Sequence, residues 1–288
     1  MSTQLSQLVT LMARLRAPDG CPWDRKQTHE TLKPYLLEES YEALEAIDRQ
    51  DPSALKEELG DVLLQVIFHA QIAEEHSEFT LEDVATHLSQ KLIRRHPHVF
   101  EPHTQGKVST ASEIANNWEA IKRQERQSQR THPSVLDGIP KTAPALHRAY
   151  QAQKRASKNG FDWTTVTPVF EKLREECQEL CTATADLIEQ QSNNSSPESL
   201  KAAQAQVEDE FGDVLFSFVN MSRFLKVNPE ESLRQATNRF MTRFRYVELK
   251  VEESAQSFGQ CSETDLEKWW EEAKTQERTF NEKQRQSS

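Results

Sequence analysis

A pair of acidic residues with the same spacing occurs twice in this chain, each time at the start of an apolar run. Glu58 and Asp61 lie three residues apart in the first half, and Glu210 and Asp213 repeat that spacing in the second half. On a helix, this spacing places both carboxylates on one face within a single turn. Carboxylates crowded at the edge of a buried helix face require a cation, because like charges so close cannot all ionise without one.

A second acidic motif lies upstream of each pair. The two motifs are Glu39-x-x-Glu42 and Glu176-x-x-Glu179, again at helical spacing. Two antiparallel helices would bring the four carboxylates of each copy together. Such an acidic, all-oxygen site suits Mg²⁺, with Mn²⁺ as a substitute, far better than Zn²⁺. The predicted ligand sets are Glu176, Glu179, Glu210 and Asp213, with a second set of Glu39, Glu42, Glu58 and Asp61.

The alternative interpretation of these glutamates is a solvated helix face. In an acidic helical protein, Glu pairs at i,i+3 spacing usually face water. Here each pair adjoins the apolar stripe of its helix, and both motifs recur in the same order later in the chain. This recurrence favours metal binding over a solvated face.

The composition is typical of long amphipathic helices. Only 36% of the residues are hydrophobic, 28% are charged, and the 288 residues include seven Gly. Sheet folds are disfavoured, because their turns need Gly. The formal net charge of −11 argues against a general nucleic-acid binder, so we expect no stable nucleic-acid binding. A nucleotide held through metal ions is compatible with this charge.

The sequence contains no segment that targets it to a membrane. No stretch approaches the 18 apolar residues of a membrane span, and residues 1–15 lack the apolar core of a signal peptide. The four Cys have spacings that match no zinc site. We therefore expect reduced thiols, a cytoplasmic location and no membrane association.

The helices that must position the acidic motifs occur in the same order in both halves. The halves are separated by Thr131 to Pro144, a stretch with three Pro and one Gly. We predict an all-α fold of two tandem, related helical-bundle domains. Each hairpin alone has too little core, so we also expect a homodimer that completes the bundles. The predicted boundaries are 1–130 for the N-terminal domain, 131–145 for the linker, 146–280 for the C-terminal domain and 281–288 for a polar tail.

Three segments are predicted to be loops from their Pro, Gly, Ser and Asn content. The first is residues 21–24, after Gly20, and the second is residues 96–102. The third is the Ser-Asn-Asn-Ser-Ser-Pro core, residues 192–197, of an insertion at about residues 190–199 in the second copy. We expect this core to form a flexible loop between the two acidic helices.

These motifs together resemble the MazG-type nucleoside triphosphate pyrophosphohydrolases of the all-α NTP pyrophosphatase superfamily. The match covers nearly the whole chain, and the combination of motifs is specific, although Glu-x-x-Glu alone is weak. The first half carries Gly20-Cys21-Pro22-Trp23-Asp24, Leu37-Glu38-Glu39 with Glu42, Glu58-Leu59-Gly60-Asp61 and Arg94-Arg95-His96-Pro97-His98-Val99-Phe100. The second half carries Gly160-Phe161-Asp162-Trp163-Thr164, Glu175-Glu176 with Glu179, and Glu210-Phe211-Gly212-Asp213.

The resemblance implies Mg²⁺-dependent hydrolysis of a nucleoside triphosphate to the monophosphate and pyrophosphate, serving nucleotide-pool clearance. Water would attack the α-phosphorus, and Glu175 or Asp209 is the candidate to orient it. In this family the C-terminal copy is usually credited with catalysis. Both copies here keep all four carboxylates, so the first copy also stays a candidate.

Cationic and aromatic residues are needed to hold the nucleotide. The resemblance places Lys172, Arg239 and Arg243 at the phosphates. Trp270 is the candidate to stack on the base, with a core position as the alternative. Trp163 is interpreted as a packing residue at a loop-to-helix junction.

Two other classes of function are compatible with the sequence. One is a non-catalytic nucleotide-sensing or partner-binding module on the same scaffold. The other is a helical interaction protein with solvated acidic faces. Release of pyrophosphate from a nucleoside triphosphate would distinguish the enzyme from both.

Overall fold

The fold is described from a computed structural model that covers residues 3–100, 110, 114, 118, 121 and 134–286, with side chains as far as residue 279. The chain separates into two compact units, residues 1–130 and 131–288. Every regular element in the described residues is a helix. The predicted all-α class with two tandem domains is therefore confirmed. Within the same residues, no helix has the length and apolar character needed to cross a membrane.

The first unit is built around a helical hairpin. Its helices are α1 (Thr3–Arg16), α2 (Pro22–Lys26), α3 (Lys33–Asp48), α4 (Pro52–Glu75), α5 (Leu81–Arg95) and α6 (Pro97–Phe100). The hairpin consists of α3 and α4, and α1 packs against α4. The core cluster joins Met12 of α1 and Leu32 to three residues of α4, Ile67, Phe68 and Ile72.

The second unit repeats the hairpin and adds another. Its helices are α7 (Ala145–Ser157), α8 (Thr167–Ser192), α9 (Pro197–Phe224), α10 (Pro229–Glu253) and α11 (Glu263–Gln286), with a short 3₁₀ turn at Phe258–Gln260. The helices α8 and α9 form the most extensive packing in the molecule. A second hairpin joins α10 to α11, and α7 packs against both α9 and α10. Residue 281 and those after it, as far as Gln286, continue α11.

Local sequence explains where the hairpin helices begin. The Asp51 carboxylate accepts hydrogen bonds from the backbone N–H groups of Ser53 and Ala54, at 2.9 and 3.1 Å. Pro52 occupies the first turn of α4, where its fixed φ suits a helix and its missing N–H has no role. These two signals set the start of α4 and hence the register of Glu58 on it.

The predicted loops at residues 21–24 and 96–102 are wrong in part. The first contains the helix α2 from Pro22 onward, and the second contains α6 from Pro97. Residues 101 and 102 of the second predicted loop lie outside the described residues. In both segments Pro is the first helical residue, a position that it favours. We interpreted Pro97 only as the end of the preceding helix and Pro22 only as part of a loop, which is why the two short helices were missed.

The loop predicted for the core of the insertion, residues 192–197, agrees with the structure to within one residue at each end. The helix α8 continues to Ser192 and α9 begins at Pro197, so only residues 193–196 connect them. The Ser196 hydroxyl caps α9 by accepting a hydrogen bond from the backbone N–H of Ser199 at 3.2 Å. The insertion therefore lengthens the two helices, and it does not loosen the hairpin that carries the acidic residues.

A buried ion pair fastens α1 to the end of α4. The Arg16 side chain is 6% exposed, and its Nε and Nη2 donate to the two carboxylate oxygens of Glu75 at 2.8 and 2.7 Å. Arg16 also donates to the backbone carbonyl of Gln27 at 3.2 Å. These hydrogen bonds from Arg16 lower the pKa of Glu75 below its usual range.

Glu75→Gln is expected to lower the free energy of unfolding by about 1–2 kcal/mol at neutral pH, because the buried Arg16 guanidinium loses its charged partner. Ionised Glu75 stabilises the fold above its unfolded-state pKa, and this contribution is lost as the pH falls through its lowered folded-state pKa. The stabilities of wild type and variant should therefore converge in acid. Urea unfolding followed by circular dichroism at neutral and acidic pH measures both effects.

The matched control for this prediction is Asp19→Asn. Asp19 also pairs with an arginine, Arg14, but the two side chains are 77% and 60% exposed. Exposed pairs contribute little, so this variant should lose less than about 0.5 kcal/mol. Equal losses in the two variants would contradict the importance of burial for the Arg16 pair.

Candidate metal centre

The hairpin of α8 and α9 brings three of the four predicted carboxylates of the second copy together. Glu176, Glu179 and Glu210 each offer an oxygen, and these oxygens all lie within 4.8 Å of one another. Glu176 is 6% exposed, Glu210 is half-buried and Glu179 faces solvent. Asp213, one turn beyond Glu210, is exposed and lies outside this trio.

Lys172 lies at the edge of the cluster, one turn before Glu176. Its Nζ is 2.7 Å from Glu175 Oε1 and 2.8 Å from Glu176 Oε1. The hydrogen bonds that Lys172 donates to these two carboxylates raise its pKa well above its usual range. The predicted water-orienting residue Glu175 is therefore tied to Lys172, whereas the other candidate, Asp209, is exposed beside Glu210.

Glu179, the exposed member of this trio, lies close to the negative charges of the other two carboxylates. Desolvation raises the pKa of Glu179, and a hydrogen bond with Glu176 and the charges of Glu176 and Glu210 raise it further. A carboxyl group in such surroundings resists ionisation unless a positive charge is nearby. A bound cation would relieve this repulsion.

The first unit contains the same arrangement. Oxygens of Glu39, Glu42 and Glu58 lie within 4.8 Å of one another across the α3–α4 hairpin. Desolvation raises the pKa of Glu39 and of Glu58, and the charge of Asp61 raises both further. Asp61 therefore lies close enough to this trio to act on it electrostatically.

The donor set of each trio fits a hard divalent cation. All six side chains are carboxylates, and neither trio includes a His or a Cys. Oxygen ligands of this kind suit Mg²⁺ or Mn²⁺. The amide nitrogen of Gln206 donates a hydrogen bond to Glu210 Oε1 and so helps to orient that ligand. We missed Gln206 in the sequence, although its i,i+4 spacing from Glu210 was the available signal.

The other predicted nucleotide contacts lie on the α10–α11 hairpin. Arg243 Nε donates to Glu277 Oε2 at 2.7 Å, and its guanidinium lies 5.9 Å from the centre of a Trp270 ring. Trp270 also packs 5.4 Å from Phe240, and Arg239 is exposed. Among the described residues, neither α10 nor α11 packs extensively against the α8–α9 hairpin. A single chain therefore gathers the carboxylates and Lys172 but not these three residues.

Comparison with known proteins identifies what the chain is similar to. The model of the MazG nucleotide pyrophosphohydrolase domain matches residues 27–100, which contain the first carboxylate trio. A Thermotoga maritima protein named nucleoside triphosphate pyrophosphohydrolase/pyrophosphatase MazG is 46% identical over 93% of this chain and 94% of its own. An Escherichia coli protein named nucleoside triphosphate pyrophosphohydrolase is 42% identical over 95% of this chain and 98% of its own.

Compared with wild type, Glu179→Gln is expected to be at least as thermally stable without a divalent cation and less stable with one. Without one, the variant should unfold at the same or a higher temperature than wild type, because it has lost one of three mutually repelling charges. With millimolar Mg²⁺, wild type should gain several degrees and the variant little, because a ligand of the cation is missing. Differential scanning calorimetry with EDTA or Mg²⁺ measures both shifts.

Glu189→Gln is the control, because Glu189 is exposed on the same helix more than two turns from Glu179. This variant should follow wild type under both conditions. If Mg²⁺ stabilised Glu179→Gln as much as wild type, Glu179 would not be a ligand.

Proposed function

The chain belongs to the family of MazG nucleoside triphosphate pyrophosphohydrolases, and we propose that its second unit contains the active site. The chain is thus an enzyme that hydrolyses nucleoside triphosphates to the monophosphate and pyrophosphate, as the motifs predicted. The hydrolases of this family depend on a metal ion. Membership of this family of enzymes contradicts the two non-catalytic interpretations of the sequence, a nucleotide-sensing or partner-binding module and a helical interaction protein.

We assign Mg²⁺, with Mn²⁺ as a substitute, to Glu176, Glu179 and Glu210, with Asp213 completing the set. The observation that supports this assignment is the approach of the first three carboxylates to within 4.8 Å. Bound there, the ion would neutralise charge on the phosphate oxygens and make a water molecule more acidic. The first trio on α3 and α4 is a possible second site of the same kind.

The residues around the trio supply the remaining groups for the reaction. The Lys172 ammonium lies where the triphosphate would bring its negative charge, so it is suited to contact the phosphate oxygens. Glu175 or Asp209 would accept a proton from the attacking water. The water oxygen would then bond to the α-phosphorus as the bond from that phosphorus to the pyrophosphate oxygen breaks.

A difference between the two trios supports the second unit as the active one. Glu39 corresponds to Glu176, and one turn before Glu39 the first copy has Tyr35 where the second has Lys172. Tyr35 packs edge-on against Trp23, with ring centres 6.0 Å apart. A tyrosine in this position cannot supply the positive charge that Lys172 brings to a triphosphate.

We also propose a homodimer in which the partner supplies the α10–α11 hairpin to the carboxylates. Phe211, Leu215 and Phe218 form an apolar row on α9, and they are 54%, 42% and 46% exposed. A row of this spacing is the surface that a second helical hairpin covers. The dimer would bring Arg239, Arg243 and Trp270 of one chain to the phosphates and base bound by the other.

The proposed cellular role is clearance of nucleotides from the pool, in the cytoplasm. A small anionic substrate held through a cation suits a protein with net charge −11. The same charge supports the expectation that no nucleic acid binds stably.

The reaction is tested by incubating the protein with dATP and Mg²⁺ and measuring the products. We expect dAMP and pyrophosphate, and orthophosphate without pyrophosphate would contradict attack at the α-phosphorus. Glu210→Gln and Asp213→Asn should each lower turnover by about 100-fold or more, because each removes a metal ligand. Glu58→Gln, the matched change in the first unit, should keep most of the activity. The reverse result would assign turnover to the first unit.

The shared site is tested by mixing two inactive variants. Glu210→Gln lacks a metal ligand and Arg239→Ala lacks the predicted phosphate contact. If the arginine acts on the partner's carboxylates, a mixed dimer has one intact site, and random exchange should restore about a quarter of wild-type activity. No recovery after denaturation and joint refolding would show that Arg239 acts within its own chain or not at all.

A further inference from the structure

Two imidazole rings of the first unit meet edge to edge. His29 lies between α2 and α3, His69 lies on α4, and both side chains are half-buried. Their Nδ1 atoms are 2.7 Å apart, whereas the ring centres are 5.0 Å apart and the ring planes differ by 10°. The two distances differ by about the width of one imidazole ring. The rings therefore lie almost in one plane, and each Nδ1 points at the other.

A contact of this geometry is a hydrogen bond that holds one hydrogen. One Nδ1 donates its N–H and the other accepts with its lone pair, so the donor ring leaves its Nε2 without a hydrogen. A proton taken up at that Nε2 leaves the bond in place and strengthens it, because the donor becomes charged. A second proton puts a hydrogen on both Nδ1 atoms. The two imidazolium ions then repel each other, and the hydrogen bond is lost.

The surroundings of the pair do not compensate a second positive charge. Burial lowers the pKa of His69, and the charge of His29 lowers it further. Within the described part of the chain, neither ring forms a hydrogen bond or an ion pair with a carboxylate. Charged groups of the elements around the pair are engaged elsewhere: Arg16 of α1 with Glu75 of α4, Arg25 of α2 with the Pro18 carbonyl, Glu30 beside His29 with Lys33 of α3, and His76 after α4 with the Ile72 carbonyl.

The histidine pair joins the start of α3 to α4. Leu32, three residues after His29, is 1% exposed and belongs to the core cluster of this unit. Leu32 directly precedes α3, which carries Glu39 and Glu42 of the first carboxylate trio. The hydrogen bond between the rings therefore helps to hold the start of the helix that positions two of these carboxylates.

The second copy has no counterpart of this pair. Alignment of Asp61 with Asp213 pairs His69 with Met221, and residues 158–166, which lead into α8, contain no His. A thioether does not titrate, so this position of the second unit does not respond to acid. The first unit therefore has an acid-sensitive contact where the second unit has an apolar side chain.

We propose that His29 and His69 form an acid-sensitive latch, which holds the start of α3 against α4 until both rings are protonated. The open form binds one more proton than the closed form, because only the open form accommodates two imidazolium ions. The latch therefore stabilises the fold fully above the unfolded-state pKa of histidine, 6.5, and this contribution is lost as the pH falls through the lowered folded-state pKa. The latch does not depend on which unit contains the active site.

Amide hydrogen exchange measures the opening of the latch. The amides of Leu32 and Leu36 donate to the carbonyls of Thr28 and Leu32, each at 3.1 Å. Their protection factors should fall by up to about tenfold for each pH unit below 6.5, because opening takes up one proton. The amides of Val169 and Phe170 at the start of α8 are the control within the same protein, and their protection factors should not follow this change.

His69→Met installs the residue of the second copy and removes the latch. The protection factors of Leu32 and Leu36 should then be lower than in wild type at neutral pH and should no longer fall in mild acid. His96→Gln is the control, because the Nδ1 of His96 is hydrogen-bonded to the Leu92 carbonyl at 2.7 Å, and this bond survives protonation of the other nitrogen. A wild-type response to acid in His69→Met, or no response in wild type, would overturn the proposal.

Nitrogen NMR of the histidine side chains tests the latch in the unaltered protein. In EDTA at neutral pH, the two Nδ1 atoms of His29 and His69 should together carry one hydrogen, and acid should protonate the rings in two separate steps. Hydrogens on Nε2 in both rings, or independent titration of the two rings at the usual pKa of histidine, would show that no hydrogen bond joins them. Either result would refute the latch even if His69→Met did not fold.

Discussion

Three carboxylates whose oxygens lie within 4.8 Å repel one another, and each main hairpin of this chain must tolerate that repulsion. The hairpins can do so because apolar residues next to the acidic ones are packed away from water, with Val169 and Leu32 each 1% exposed seven residues before Glu176 and Glu39. The helices hold the carboxylates in position, so a cation meets a site that needs little rearrangement. Hydrophobic packing of the helices thus holds together carboxylates that would otherwise move apart.

The two copies share this arrangement but surround it differently. In the second copy, Lys172 places a positive charge beside the trio, and a cavity of about 490 Å³, lined by Ala152 and Phe216 among others, lies between α7, the segment 160–163 and α9. In the first copy, Tyr35 replaces the lysine, and Met12 and Phe68 close the corresponding space. The same scaffold therefore serves packing in one unit and, in our proposal, substrate binding in the other. Duplication allows this division, because one copy can lose binding residues while the other keeps them.

The sequence predicted the features that depend on helix periodicity alone. The spacing of Glu176 and Glu179, and their pairing with Glu210 across a hairpin, follow from 3.6 residues per turn and a buried stripe. The connection at residues 193–196 was predicted from composition instead, whereas the short helices that begin at Pro22 and Pro97 were missed, because Pro occurs both in loops and at helix starts. The hydrogen bond from Gln153 to the Phe216 carbonyl could not be predicted at all, because the two residues lie on different helices 63 positions apart in the sequence.

The open cavity of the second unit has a consequence for local unfolding. Side chains that line an open cavity make fewer dispersion contacts with the protein than side chains in a packed core. Segments around Ala152 and Phe216 therefore have fewer interactions opposing fluctuation than the segments around Met12 and Phe68. Hydrogen exchange of backbone amides should reflect this asymmetry, with slower exchange beside the filled core. A molecule bound in the cavity would supply further contacts and would therefore make the second unit more rigid.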